Sequence, residues 1–403
     1  YPTDVLVTGY DIIFFWVARM IFSGCEHTGK PPFHTVFIHG LVRDDKGRKM
    51  SKSLGNGIDP LVIAEQYGAD ALRFNLVTGN SPGNDMRFYT ERCEAMRNFA
   101  NKIWNASRFL MMNLTIDCCR LPEKLELEDK WILSKLNSVI PEVTENMDKY
   151  ELGVAAQKVY DFIWDDYCDW YIELTKSRLQ GEDAEAKINA QKVLCYVLTH
   201  ILKLLHPFMP FLTEEIWQAL PHEGDFLMLQ RWPEHHVELD FPEEEKAMEM
   251  IMDAIGAVRT RRAEMNVPPS KRAHLTVSTL EQEVFTAGIP FLKRLAYASD
   301  VTVEGVADAG SDDAMTAQGM VTVTTHAARL FMPLAELVDL EKEKARLEKE
   351  LKKNSAELEK LNAKLANPGF VNKAPEHVVK AEQERSVQLT ELVAKLKEQL
   401  SGM

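Results

Sequence analysis

The stretch GRKMSKSLGN, residues 47–56, sets Lys49 and Lys52 three apart among serines and glycines, after a short apolar run and ahead of the next helical pattern. Flanked by Gly47, Gly55 and Gly57, the two side chains offer mobile ammonium groups beside exposed backbone N–H donors. That combination suits a polyanion such as a triphosphate, whose negative charge shifts during reaction. A plain basic surface loop is the simpler account of two lysines, and the full KMSKS string argues against it. Gly9 and Asp11 sit where a β-rich run gives way to a helical one, the usual crevice at the carboxyl edge of a parallel sheet. An ordinary helix N-cap explains Asp11 equally well. His39 and Gly40 close the β-rich run before the lysine loop, where a lone histidine is commonly structural. Ile12 and Trp16, four apart on one helical face, read from pattern alone as core packing.

Four kinds of segment must position these groups. The chain has 403 residues, 45% hydrophobic and 27% charged, enough to bury several cores. Residues 1–90 read as α/β: DVLVTG and TVFIHG are short β-rich runs ending in glycine, and DIIFFWVARMIF between them has helical length, which predicts two parallel strands around a crossover helix. Residues 91–242 are long periodic stretches, dense in tryptophan, and predict a helical bundle. Residues 243–335 run from a helix through NVPPSK into AHLTVS, VTVEGV and MVTVTT, a small mixed α/β unit. In residues 336–403, Leu337, Leu340, Leu347, Leu351, Leu358, Leu361 and Leu365 follow alternating three- and four-residue steps, with Lys344 and Asn354 in the polar slots. NPGFVNKAP breaks that series and Leu389, Leu392, Leu396 and Leu400 resume it, which predicts an antiparallel coiled-coil hairpin; an intermolecular coiled coil is the alternative.

A net charge of −14 argues against a general polyanion binder, so basic surfaces must be sought locally. On the helix around 95–112, Phe99, Ile103, Ala106 and Leu110 form one apolar face, with Arg97, Asn101 and Arg108 opposite and Lys102 and Phe109 on a shared flank. An aromatic ring beside a lysine suits a splayed RNA base with its phosphate held nearby, although Phe109 packing on the next helix accounts for it as well. RTRR at 259–262 and SKR at 270–272 are further basic clusters, open to either phosphate contact or plain solvation. The six cysteines form neither a disulfide framework nor a C-x-x-C pair, and no structural metal is expected. Ile12–Phe22 is too short and too interrupted to cross a bilayer, and the first residues lack a signal-peptide pattern, so a soluble cytoplasmic protein is expected.

KMSKS at 49–53, with VTGYDIIFFWVARM, IHGLVRDDKGRKMSKSLGNGIDP, YGADALRF and SPGNDMRF, resembles the class I aminoacyl-tRNA synthetases, and among them the valine-specific branch, over essentially the whole chain. The HIGH-type histidine pair and the inserted editing domain of that family are absent, so the resemblance is to a C-terminal portion that begins inside the second half of the catalytic fold. It implies a multidomain α/β plus α protein: half of a Rossmann-type nucleotide-binding domain (1–90), an anticodon-binding bundle (91–242), a small α/β junction unit (243–335) and a hairpin arm for tRNA (336–403). It further implies Lys52, assisted by Lys49, as the catalytic cations. Ser51, Gly9, Asp11, His39 and Gly40 join Lys52 around ATP, Ile12 and Trp16 line a valine pocket, and Lys102, Arg108 and Phe109 contact tRNA. The implied partners are ATP with Mg2+, valine and tRNA(Val), with no membrane and a monomeric state. The isoleucine-specific branch is a neighbouring alternative, and a noncatalytic tRNA-binding or coiled-coil module is an alternative of another class.

Overall fold

A computed structural model describes residues 1–79, 81–306, 319–338, 340–366, 385–386, 388–390 and 393. The chain divides into two compact units, Tyr1–Glu249 and Met250–Met403. In the first, β1 (Thr3–Gly9) and β2 (Phe33–His39) pair in parallel, joined by a 3-10 turn at Tyr10–Ile12, a π-type stretch at Ile13–Val17 and α1 (Ala18–Thr28). The crossover therefore follows the alternation in the sequence, but its first turns are wider and tighter than a regular helix. Short strands β3 (Val42–Arg43) and β4 (Met86–Arg87) form a second parallel pair. Between them lie α2 (Pro60–Tyr67) and α3 (Ala69–Thr78). Asp59 starts α2 by accepting the Leu61 amide, with Pro60 supplying the first helical residue where no donor is needed.

The bundle comprises α4 (Thr90–Asn113), α5 (Leu127–Asp148), α6 (Leu152–Asp161), a π-type stretch Phe162–Tyr171, α7 (Ile172–Leu179), α8 (Ala184–Leu205) and α9 (Pro210–Ala219). The apolar face expected on α4 is buried in full: Phe99, Ile103, Ala106 and Leu110 all face the interior. Phe99 meets Phe74 of α3 at 5.3 Å and Tyr160 at 4.4 Å between ring centroids, so aromatic packing fastens the α/β segment to the bundle. Polar bonds fix the angle: Asp70 of α3 accepts the Leu212 amide at 2.6 Å, capping α9, and Arg73 donates to the Pro207 carbonyl at 3.1 Å. Deeper in, Arg178 is ion-paired with Glu128 and Asp129, and the Tyr171 hydroxyl donates to Asp129 at 2.6 Å. Burial, the largest influence, pushes the Glu128 carboxyl up to about 7 although the Arg178 charge opposes it. A disulfide joins Cys119 to Cys195 across 76 residues, which the cysteine spacing does not predict; Cys25, Cys93, Cys118 and Cys168 are free.

α10 (Pro242–Glu264) ends the first unit and begins the second. The second unit holds α11 (Gln282–Ala287), α12 (Ile289–Leu295) and a mixed sheet of β5 (Ala273–Thr279), β6 (Ala298–Gly305), β7 (Met320–Thr324) and β8 (Ala328–Pro333), ordered β6-β5-β8-β7. Three of these strands are the predicted runs; β8, ARLFMP, lies beyond them and pairs antiparallel with both β5 and β7. Leu337 does not begin the leucine-ridged helix: it is buried in a separate turn, Leu334–Leu337, and the long helix is Leu340–Ala366. Of the second leucine series, Leu389 is buried, as are Val393 and Leu361, and Arg385 pairs with Glu357 at 2.5 Å. NPGFVNKAP, Leu392, Leu396 and Leu400 lie outside the described residues. Among the described residues no helix is long and apolar enough to cross a membrane.

Candidate functional site

The carboxyl ends of β1 and β2 stand side by side, Gly9 opposite His39 in the register. A side chain at Gly9 would lie 2.8 Å from Asp11 Oδ1, 3.4 Å from Leu41 and 3.6 Å from the His39 ring, so glycine keeps a crevice open between them. His39 Nδ1 lies 2.7 Å from the Gly40 carbonyl, which can only accept; the proton therefore sits on Nδ1, leaving Nε2 to accept in the neutral ring. Gly40 has no room for a side chain, since a Cβ would fall 1.7 Å from the Asn84 carbonyl oxygen. The strand end thus presses directly on the backbone of 84–85.

That contact seats Asp85, which accepts the Leu41 amide at 2.7 Å, the Tyr10 hydroxyl at 3.1 Å and the Arg43 guanidinium. The Leu41 amide first, and then Arg43, hold the Asp85 carboxyl below its ordinary range. Arg43 also reaches the Gly47 carbonyl at 3.4 Å. The lysine loop departs from this base through a second carboxylate, buried Asp44, which accepts the Arg48 amide and guanidinium, both at 2.7 Å, and the Asn56 amide at 2.9 Å. Those bonds, Asn56 foremost, lower Asp44 to about 2. Asn56 in turn accepts the Ser51 amide at 3.0 Å and donates to the Lys49 carbonyl at 3.3 Å. Asp44 and Asn56 therefore pin both feet of the loop.

Within it, Lys49 Nζ lies 3.2 Å from Asp11 Oδ2, spanning from the loop to the crevice. Ser51 Oγ accepts the Leu54 amide and lies 3.2 Å from Ser53 Oγ, turning the loop at its apex. Lys52 is exposed at that apex, and its ammonium makes no ion pair among the described residues. Lys49, Asp11, Gly9, His39 and Gly40 thus come together, with Ser51 and Lys52 on the loop above them. Ile12 and Trp16 do not enclose a pocket: they are 40% and 56% exposed, in company with exposed Phe14, Phe15 and Phe22. Reading from sequence missed Asp44, Asn56, Asp85, Arg43 and Tyr10. The Asp44–Gly47 turn and an asparagine between two glycines are the signals that point to the first two.

On the bundle, Lys102 pairs with Asp169 at 2.7 Å and lies 3.6 Å from the centre of the Trp164 ring, so its charge is already engaged. Phe109 is half-buried under Lys176, 5.5 Å from the ring centre, and Arg108 is exposed. Among the described residues no group of three or more histidine, cysteine or acidic side chains is arranged to hold a metal ion.

Three family models match the chain: tRNA synthetases class I (I, L, M and V) over residues 1–89, the anticodon-binding domain of tRNA ligase over 129–277, and the valyl tRNA synthetase tRNA binding arm over 339–403. Among curated proteins, the valine–tRNA ligase of Clostridium acetobutylicum is 51% identical over 408 residues, taking in 100% of this chain and 46% of that protein. The corresponding ligase of Clostridium tetani is 53% identical over 410 residues, with the same coverage of 100% and 46%, and that of Geobacillus stearothermophilus is 52% identical, covering 96% and 44%. The chain thus spans about half the length of these relatives. Among solved structures, the Agrobacterium radiobacter K84 agnB2 LeuRS–tRNA–LeuAMS ternary complex shares the fold with a TM-score of 0.50 at 21% identity, over 60% of this chain and 30% of that one.

Proposed function

These 403 residues belong, by homology along their whole length, to the valine–tRNA ligase family, and from that premise we propose that they supply the phosphate-facing loop and the tRNA-binding segments of such an enzyme. The reaction is ATP-dependent activation of valine to valyl-adenylate, followed by transfer of the valyl group to tRNA(Val). The observation that carries the reading is the loop itself: both feet are pinned by Asp44 and Asn56, while Lys52 is left at the apex without a counter-charge among the described residues. In the activation step a valine carboxylate oxygen bonds to the α-phosphorus, the bond from that phosphorus to the bridging oxygen breaks, and pyrophosphate departs with the electron pair. Lys52 supplies positive charge to the phosphates as negative charge moves onto the leaving group. Lys49, held on Asp11, gives up that contact or shares it as ATP, with its Mg2+, enters the crevice beside Gly9, His39 and Gly40.

Supporting the same reading, the apolar side chains Ile12, Phe14, Phe15 and Trp16 stand exposed beside the crevice, as a surface awaiting the other half of a nucleotide-binding fold would. Ile12 and Trp16 become valine-pocket walls only when that half covers them. We assign residues 1–90 to the catalytic half, 91–242 to anticodon binding, with Lys102, Arg108 and Phe109 as contacts, 243–335 to a junction and 336–403 to a hairpin arm toward tRNA. The Arg385–Glu357 pair and the burial of Leu361 and Leu389 support a hairpin closed on itself, in a cytoplasmic, monomeric enzyme.

The test is Lys52→Ala in the complete enzyme. Valine-dependent pyrophosphate exchange should fall by about 10²- to 10³-fold, as when one preorganised transition-state donor is removed, while valine affinity stays within about threefold. Equal losses in rate and binding would remove Lys52 from the chemical step. The 403-residue chain alone should show no exchange, since it spans only about half the length of the ligases it matches.

A further inference from the structure

The two ends of the Cys119–Cys195 disulfide have unlike surroundings. Cys195 lies within α8 and is fully buried, whereas Cys119 sits half-buried on the loop between α4 and α5. Their Cα atoms stand 5.2 Å apart, inside the span such a bond bridges. One turn earlier on α8, Gln191 Oε1 accepts the Thr115 amide at 2.8 Å and the Thr115 hydroxyl at 3.0 Å. The loop is therefore laid along the helix by two ties, of which the second does not depend on sulfur.

A cavity of about 240 Å3 opens beside this loop, lined by Cys119 and the free Cys118 but not by Cys195. Its walls carry the Arg120–Glu223 pair, at 3.4 Å, and one further charge of each sign, Asp117 and Lys203, neither of which makes an ion pair among the described residues. A disulfide sealed in a core resists reduction, whereas one that a thiolate can approach is open to exchange. Both halves of this bond also have a place to go when it opens. Cys119 Sγ lies 3.3 Å from the Pro221 carbonyl, which accepts from a thiol, and a reduced Cys195 stays where it is as a small buried apolar side chain. The bond between Gln191 and Thr115 meanwhile keeps the loop against α8.

We propose that Cys119–Cys195 is a reversible thiol-exchange site, entered through this cavity by a small zwitterionic thiol of the cysteine type. The ammonium and carboxylate of such a molecule complement Asp117 and Lys203. Its thiolate bonds to Cys119 Sγ as the bond to Cys195 breaks; the Cys195 sulfur leaves with the electron pair and takes up a proton. A second thiolate then attacks the outer sulfur of the mixed disulfide and frees Cys119 as a thiol. Two small thiols are oxidised to their disulfide and one protein disulfide is reduced, and the small disulfide drives the same steps backwards. The outcome is a clasp across 76 residues of the bundle that the surrounding thiol balance opens and closes.

The 403-residue chain is equilibrated with mixtures of cysteine and cystine over a wide range of ratios, quenched with acid, alkylated and read by peptide mass spectrometry, with circular dichroism as the check on folding. We expect the Cys119–Cys195 bond to open and re-form as the ratio is swept in either direction, with the bundle folded throughout and cysteinylated Cys119 trapped at intermediate ratios. The opened form should melt lower by roughly 5–10 °C, the usual consequence of losing a cross-link over a long loop. Kinetics test the route. Entry through the cavity makes the opening rate proportional to cysteine concentration and keeps it within about twofold when urea is added well below the unfolding transition. Cys118→Ser should open at the parent's rate. A bond that opens only at a rate saturating in cysteine and climbing with urea is a sealed cross-link and overturns the site. So does a bond that is absent at every ratio, or a mixed disulfide found on Cys118 or Cys195 instead of Cys119.

Discussion

Two glycines around the crevice look alike in the sequence, yet the atoms they face differ. A methyl at Gly40 would meet the Asn84 carbonyl carbon at 2.1 Å and the Asp85 amide at 2.6 Å, which are backbone atoms and cannot swing aside. Gly40→Ala should therefore displace Asp85, break its bonds to Leu41, Tyr10 and Arg43, and cost more than about 4 kcal/mol in stability. At Gly9 the nearest atom, 2.8 Å away, is the end of the Asp11 side chain, which can rotate. Gly9→Ala should leave the fold within about 1 kcal/mol of the parent while prising Asp11 from Lys49. Urea denaturation of the two variants decides the matter, and similar losses would contradict the contrast. At this scale the sequence was legible for Lys49, Lys52, Gly9 and Asp11, because loop and strand-end chemistry leaves marks within a few residues. Asp85 left none: its three partners are more than 40 positions away, and only the folded chain collects them.

Whole elements were easier to read where one face is apolar. α4 declared its buried side through Phe99, Ile103 and Leu110, whereas β8 ends in a proline and lacks clean alternation, so only its pairing with β5 and β7 reveals it. Nor could periodicity reveal what α8 does to His200, whose ring lies tilted against Tyr196 at 4.2 Å between centroids with Nδ1 2.8 Å from the Tyr196 carbonyl. Burial lowers its pKa to about 4. A folded value below the unfolded 6.5 means the ring contributes stability above pH 6.5 that is lost as the pH falls toward 4. Glu128, raised to about 7, acts in the opposite sense: its contribution is present below pH 4.5 and fades as the pH rises through 7. The difference between parent and variant isolates the histidine. His200→Gln should lose less stability than the parent between pH 7 and pH 5, by about 1–2 kcal/mol, read from urea transitions followed through the tryptophans of the bundle. Parallel declines in the two proteins would count against a buried neutral ring.

For the molecule as a whole, the heptads and the tryptophan-dense middle announced several cores, and the contacts gather them into two units. What stayed hidden is that β1 and β2 make a sheet of two strands only, with no further strand on either edge among the described residues. Parallel pairs are ordinarily covered on both faces, yet Val7 is 60% exposed and Phe14 82%. Such a strand is a template for another chain. Handled apart from whatever covers it, the protein should lose solubility from this corner rather than from the bundle, by strands of separate molecules adding edge to edge. Val7→Lys places a charge on the exposed side of β1 and should delay the onset of turbidity severalfold at equal concentration, whereas a lysine in place of exposed Met112 on the bundle should leave it unchanged. Light scattering on the three proteins makes the comparison, and equal onset times would move the blame elsewhere. The same open edge makes the colloidal lifetime of this segment depend on how much of it stays uncovered.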